Sequence, residues 1–544
     1  MGIGCYGSRP SSLKQIKTEG RVSIIDEGTY QYTCQDPFTF TEVAKNEIKM
    51  LIDKMGSTAL KKINLVNISL DSAGTDQNLE QLIRIYDLFF FSRPSFCIGF
   101  RNCSTSESLF KLSKTIDKFN ENVQSITLNF EPFDDEELKI TEAAVLALVK
   151  SLRKHHQLRE VSITLKVENL QPEIAQKLLT IPLELDSVKE IKISILDTVI
   201  IGSKELLFFV QQLKESKKEL VSFLFNYSLL HNKKIEESQS LQNISSEWVV
   251  ALFDQLHQMQ TLKKLGFNCQ SGIFLDSKAI KAIFDKNTKC ISIEEFQFEC
   301  KGVTQIIWAG EMPCIAAYLS SQCRITDLHL TFTDQSSFDN ESLSTLAGSF
   351  RSLVNLKSLE LDLKNTNISE KGLAILACLT KLSKLRTLRI DLQSCYGKFL
   401  TTLSGINAGL VSLREYDISV SKADNLIKFS ESLRNLDYLC RLRLHLQNFL
   451  LTVDCAKKLG RTLLELDLLT KVELFLVDGT IEKNKNTNAV LEFAKEIKDH
   501  ITLEIVNFNL TRCNINPTDH PIEELEKILS TAKNLETFGW SLNA

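Results

Sequence analysis

Residues 355–363 read NLKSLELDL, in which Leu356, Leu359, Leu361 and Leu363 follow the spacing L-x-x-L-x-L-x-L. The last three alternate with Ser358, Glu360 and Asp362, and strict apolar–polar alternation marks a strand with one buried face. The pattern returns at 384–392 (KLRTLRIDL), 412–420 (SLREYDISV), 438–446 (YLCRLRLHL) and 469–476 (LTKVELFL). Recurrence of this kind points to a repeat architecture, because a unit this short can bury its apolar face only against its neighbours.

Taking the first apolar residue of each pattern as an anchor, units can be placed at 60, 93, 123, 158, 188, 220, 262, 293, 325, 356, 385, 413, 439, 469, 498 and 535, about 16 units with a mean spacing of about 32 residues. Arg93 and Lys498 occupy two of these anchors, which are placed from the alternation that follows them. Between the strands lie amphipathic helical stretches. In TEAAVLALVKSLRKHH (141–156), Thr141 is a candidate N-cap and Val145, Leu148, Val149 and Leu152 fall on one face. Similar stretches open at Ser203 and Asp339, and Pro172 sits where a first helical turn tolerates it. Strand and helix alternating at constant period predict an α/β solenoid, with parallel strands side by side and helices behind them.

These residues resemble the leucine-rich repeat family, in its intracellular, ribonuclease-inhibitor-like class. The resemblance covers roughly residues 29–544 and implies a curved horseshoe, strands on the concave face and helices on the convex face. The chain departs from the family about nine residues into each unit, where Asn or Cys is expected to bond the turn backbone. Three good copies have Lys364, Gln393 and Gln447 there, with Asn365, Cys395 and Asn448 nearby, so degenerate repeats are expected. The domain reading is a flexible basic segment over 1–28 followed by a solenoid over 29–544.

Composition narrows the class. With 43% hydrophobic and 24% charged residues, most of the chain should fold. Lys plus Arg number 64 against 68 Asp plus Glu, a net charge of −4 that gives no support to nucleic-acid binding. The 14 cysteines include no C-x-x-C and no His pairing at zinc-site spacing, and Cys269, Cys300 and Cys378 lie in apolar runs, as expected of thiols in a reducing compartment such as the cytoplasm. Neither a signal peptide nor an uncharged membrane span is legible, and no metal or cofactor is expected.

Positions 3, 5 and 7 of each strand face away from the core. Early in the chain they are small or neutral, as at Ser95, Cys97, Gly99, Ser125, Thr127 and Asn129. From residue 293 they become acidic: Glu295, Glu299, Asp327, Glu360, Asp362, Asp391, Glu415 and Asp417, with His329 among them and Arg389 the lone Lys or Arg at these positions in five consecutive copies. Adjacent parallel strands would join these carboxylates into a band that steers a protein partner with a basic surface. Ordinary surface charge for solubility is the plainer alternative.

None of the eight histidines lies in H-E-x-x-H, and the hydrolase elbow, P-loop and kinase signatures are absent. His155 and His156 end a helix, where positive charge is favourable. The expectation is therefore a non-enzymatic interaction scaffold, monomeric or part of a larger complex. Two alternatives stay open: a regulator of a small GTPase, since Ran GTPase-activating proteins are intracellular repeats of the same class with an acidic region, and a structural subunit of a cytoskeletal or organellar assembly. The opening MGIGCYGSRP contains the letters G-x-G-x-x-G, yet no strand precedes them and a loop follows, so they are no dinucleotide fingerprint. Three readings of this segment remain: N-myristoylation at Gly2 with palmitoylation of Cys5, a disordered terminus, or an organelle-targeting peptide. The lipid reading would associate the chain with membranes, but Tyr6 departs from the motif, which wants Ser or Thr.

Overall fold

The computed structural model describes residues 22–26, 29–33, 65–70 and 95–543, apart from 101–102, 104, 120–122, 132–138, 167–169, 197–200, 229–244, 271–274, 289–291, 303–305, 396, 423, 485–486, 514–520 and 533. Two compact units divide the chain, Met1–Ile273 and Phe274–Ala544. Each is a sheet of parallel strands alternating with helices, the pattern of a repeat solenoid. The first ten residues, with Gly2 and Cys5, lie outside the described residues.

In the first unit the strands are Val22–Asp26 (β1), Thr29–Thr33 (β2), Leu65–Leu70 (β3), Ser95–Phe100 (β4), Val123–Phe130 (β5), Glu160–Lys166 (β6), Glu190–Leu196 (β7), Ser222–Ser228 (β8) and Lys264–Gln270 (β9). From β2 to β9 each pairs in parallel with the next. β1 falls within the leading segment of the sequence reading. It pairs antiparallel with β2, Val22 opposite Tyr32 and Ile24 opposite Tyr30, and so covers an edge that a parallel sheet would leave open.

One unit is out of register with the sequence reading. An anchor at Leu60 would place Leu65 among the buried positions, whereas β3 pairs Leu65 with Ser95 and sets Val66, Ile68 and Leu70 beside Phe96, Ile98 and Phe100. Leu60, Ile63 and Leu65 are as apolar as Val66, Ile68 and Leu70, so alternation alone cannot choose between them; pairing does, and an odd shift exchanges the faces.

Helices form where their caps and apolar stripes place them. Glu142–Leu152 follows Thr141, whose side chain makes no capping hydrogen bond, and buries Val145, Leu148, Val149 and Leu152. Ser203–Ser216 is opened by Gly202, whose N–H donates to Glu205 Oε2 at 2.9 Å. Trp248, on Glu247–Leu256, is buried against Phe225 and Phe267, with ring centroids 5.3 and 6.0 Å away. His155 is a correction to the sequence reading. It lies beyond the end of Glu142–Leu152, and its ring is buried with Nε2 3.1 Å from the carbonyl of Ile116, at the C-terminal end of the preceding helix Ser106–Ile116. That carbonyl also accepts the Phe119 N–H at 3.0 Å, so the ring adds a second contact at the helix end.

The second unit runs Glu295–Lys301 (β10), Asp327–Thr331 (β11), Ser358–Asp362 (β12), Thr387–Leu392 (β13), Glu415–Val420 (β14), Arg441–Gln447 (β15), Lys471–Val477 (β16), Ile505–Thr511 (β17) and Thr537–Asn543 (β18). All are parallel and neighbours in chain order. The anchor read at Lys498 is displaced. Lys498 caps the helix Ala489–Ile497, Ile501 is 68% exposed, and buried Leu503 precedes β17, which points Val506, Phe508 and Leu510 inward.

A turn motif recurs at the tenth residue of these units. Gly302, Asp334, Asn365, Ser394, Asn448, Asp478 and Arg512 all have positive φ, between 48° and 65°. Gly, Asn and Asp tolerate this left-handed conformation best. The tenth-residue N–H groups carry the backbone ladder beyond the strands: Asp334 N–H to Lys364 O at 3.0 Å, Asn365 N–H to Gln393 O at 2.9 Å, Asn448 N–H to Val477 O at 3.0 Å. At the eleventh residue, Thr366 Oγ1 and Cys395 Sγ donate to Leu363 O (2.7 and 3.0 Å), and Cys513 Sγ donates to Leu476 O (3.3 Å). The turn-bonding role expected at the ninth position is thus filled two residues later. The unit anchored at Leu413 differs, its left-handed residue being Asn425.

Beneath the sheet of this unit, Trp308 is fully buried, donates Nε1–H to Gln335 Oε1 at 3.1 Å, and packs edge-on against Phe332. Ten cysteines among the described residues are free thiols, and among these residues no helix is long and apolar enough to cross a membrane.

Candidate partner-binding face

In the second unit the inward positions 4, 6 and 8 are occupied by buried residues such as Leu359, Leu361 and Leu363, leaving positions 3, 5 and 7 on the face opposite the helices. Register then sets three rows across the sheet. The first runs Glu295, Asp327, Ser358, Thr387, Glu415, Arg441, Lys471. The second runs Gln297, His329, Glu360, Arg389, Asp417, Arg443, Glu473, and the third Glu299, Thr331, Asp362, Asp391, Ser419, His445, Phe475. All nine residues singled out from sequence in this region therefore lie on one face, separated laterally by ~4.8 Å per strand.

Their surroundings differ. From Glu360 through Arg389, Asp417 and Arg443 to Glu473, the second row alternates acid and base. His329 Nε2 lies 3.8 Å from Glu299 Oε1 and from Glu360 Oε1, Glu360 Oε2 is 3.5 Å from Arg389, and Asp417 Oδ2 is 3.7 Å from Arg443. Glu415 pairs with Arg441 at 3.1 Å. Arg441 and Arg443 lie one strand beyond the stretch read as an acidic band, at the same positions 3 and 5 of YLCRLRLHL, and reading one more copy would have found them. The band therefore ends at β14, where cations from β15 answer Glu415 and Asp417.

Like Asp327 in the first row, Asp362 and Asp391 make none of these ion pairs. They stand opposite each other on β12 and β13, each half-buried, and the ion pairs among the described residues include neither. Each accepts a backbone N–H two residues ahead, Lys364 to Asp362 Oδ1 at 3.1 Å and Gln393 to Asp391 Oδ1 at 2.9 Å. Burial pushes the Asp391 carboxyl up to about 6, with the Gln393 N–H and the charge of Lys364 opposing and the charges of Asp362 and Asp417 adding to it. Burial also raises Asp417, with Arg443 and Arg389 acting against the rise.

His445 closes this patch. Gln393 Nε2–H donates to its Nδ1 at 2.8 Å, and burial, with Arg443 and Lys364 nearby, holds the imidazole below its ordinary pKa. Arg443 also lies over the Phe475 ring, 4.6 Å from its centroid. What this arrangement offers chemically is recognition through charge: two unanswered carboxylates framed by ordered cations and a neutral histidine. Among the described residues no three His, Cys, Asp or Glu side chains are grouped to hold a metal ion. Neither protein-family models nor curated proteins match the chain.

Proposed function

We propose that the chain is a leucine-rich repeat scaffold of the ribonuclease-inhibitor-like class, whose open, concave sheet face in residues 274–544 binds a protein partner with a basic surface and catalyses no reaction. The observation that carries this reading is the register pair Asp362 and Asp391. Like charges directly opposite on neighbouring strands destabilise a sheet, and a sequence shaped only for stability or solubility has no reason to keep them half-buried with no ion pair. A Lys or Arg presented by a partner would supply that cation, while the Glu360–Arg389–Asp417–Arg443 ladder holds neighbouring side chains in place.

Affinity capture with the native chain and with Asp362→Lys/Asp391→Lys, at low and high salt, tests the reading. Proteins retained by the native chain at low salt and lost both to salt and to the double variant are the expected result. Retention indifferent to both overturns it, and accelerated GTP hydrolysis by a small GTPase would replace the scaffold with a GTPase regulator.

A further inference from the structure

A second charged surface lies at the strand-entry edge of the same sheet, in the turns that lead from helix to strand. Three consecutive turns, 351–357 (RSLVNLK), 381–386 (KLSKLR) and 408–414 (AGLVSLR), contain Arg351, Lys357, Lys381, Lys384, Arg386 and Arg414 and no acidic residue. All six cations are exposed. None has a carboxylate partner among the described residues; Lys384 Nζ donates instead to Asn355 Oδ1 at 2.6 Å. Lys357, Arg386 and Arg414 stand side by side, for Arg386 N–H donates to Lys357 O and Arg414 N–H to Arg386 O, each at 2.7 Å. Cations at this spacing repel one another just as Asp362 and Asp391 do.

Apolar side chains lie among them. Val354 is 59% and Val411 55% exposed; the next two turns expose Tyr438 (54%) and Leu468 (46%) but also the acids Asp437, Glu465 and Asp467, so the acid-free stretch ends at Arg414. Bare guanidinium and ammonium groups level with exposed aliphatic side chains have the chemistry of a bilayer interface, where phosphates meet the first methylenes. Aromatic platforms for stacking nucleobases are missing from these three turns, whose apolar members are all aliphatic.

We propose that this edge docks the protein on an anionic phospholipid surface, with the cations on lipid phosphates and carboxylates and Val354 and Val411 entering the headgroup layer. The inference does not rest on the partner-binding reading. The strands lead away from the edge, so the face carrying Asp362 and Asp391, five residues beyond Lys357 and Arg386, remains accessible when the edge is docked.

Co-sedimentation of the full-length, unacylated chain with phosphatidylcholine vesicles, with and without about 30 mol% phosphatidylserine, tests it. The native chain should partition at least tenfold more onto the anionic vesicles, and raised salt should reverse this. Lys357→Glu/Arg386→Glu/Arg414→Glu should lose at least tenfold, Lys357→Gln/Arg386→Gln/Arg414→Gln a smaller part, and Val354→Ser/Val411→Ser about threefold with every charge intact. The Gln and Ser variants preserve the test should charge reversal disturb folding, which circular dichroism reports. Equal partition onto neutral and anionic vesicles, or unchanged binding by the Gln variant, overturns the proposal. Retention on immobilised polyglutamate through these cations, without vesicle binding, would also overturn it, in favour of an acidic protein partner.

Discussion

Asp362 and Asp391 face each other across β12 and β13 with no ion pair among the described residues, one strand away from Asp417, which Arg443 does answer. Cations from β15 therefore compensate the charge of β14, while the Asp362–Asp391 pair has no ion-pair partner. Several outcomes depend on that contrast and on the turns that hold the strands.

Replacing Asp391 with Asn should stabilise the protein at neutral pH. The folded carboxyl is raised to about 6, above its ordinary value, so its ionisation destabilises the fold above that pH, and the penalty is relieved as pH falls through 6. Asn retains an acceptor for the Gln393 N–H. Discounted for partial exposure, the gain should be about 1 kcal/mol at pH 7.5 and should shrink toward zero by about pH 4, read from urea midpoints at the two pH values.

His500 should act in the opposite sense. Its Nδ1 accepts the Thr502 N–H at 3.2 Å and its Nε2–H donates to Leu463 O at 3.0 Å, an arrangement that only the neutral ring satisfies. Burial lowers its pKa, so the unfolded chain takes up the proton first, and this contribution to stability is lost as pH falls below about 6.5. His500→Gln should flatten the fall in melting temperature between about pH 7 and pH 5. An unchanged slope would show that the ring carries no linkage.

The recurrent left-handed turn makes Ser394 a test of backbone strain. At φ 62° a Cβ is unfavourable, and the Ser394 N–H donates to Ser421 Oγ, a bond that glycine keeps. Ser394→Gly should stabilise by about 0.5–1 kcal/mol and Ser394→Val destabilise by more than ~1 kcal/mol, measured by chemical denaturation.

Much of the architecture is legible because the repeat forces it. Leu359 and Leu361 can be buried only if Ser358, Glu360 and Asp362 face outward, so strand parity and the open-face residues follow directly from NLKSLELDL. Parity fails as a guide at Leu60 and Lys498, where two apolar sets of opposite parity compete and only pairing with the next strand decides. The turn at the tenth residue carries a faint signal, Gly302, Asp334, Asn365, Asn448 and Asp478 being residues at ease with positive φ, whereas Ser394 and Arg512 hide it. On the candidate face, sequence finds the acids but not which of them is answered. That depends on side chains reaching across strands, as Arg441 reaches Glu415 and Arg443 reaches Asp417.

The most direct test of the binding face is carbodiimide labelling of carboxylates, read by mass spectrometry, with and without a captured partner. The account predicts that partner binding protects Asp362 and Asp391 and leaves exposed helix carboxylates such as Glu341 labelled as before. Protection confined to the helices, with Asp362 and Asp391 labelled equally in both states, would contradict it.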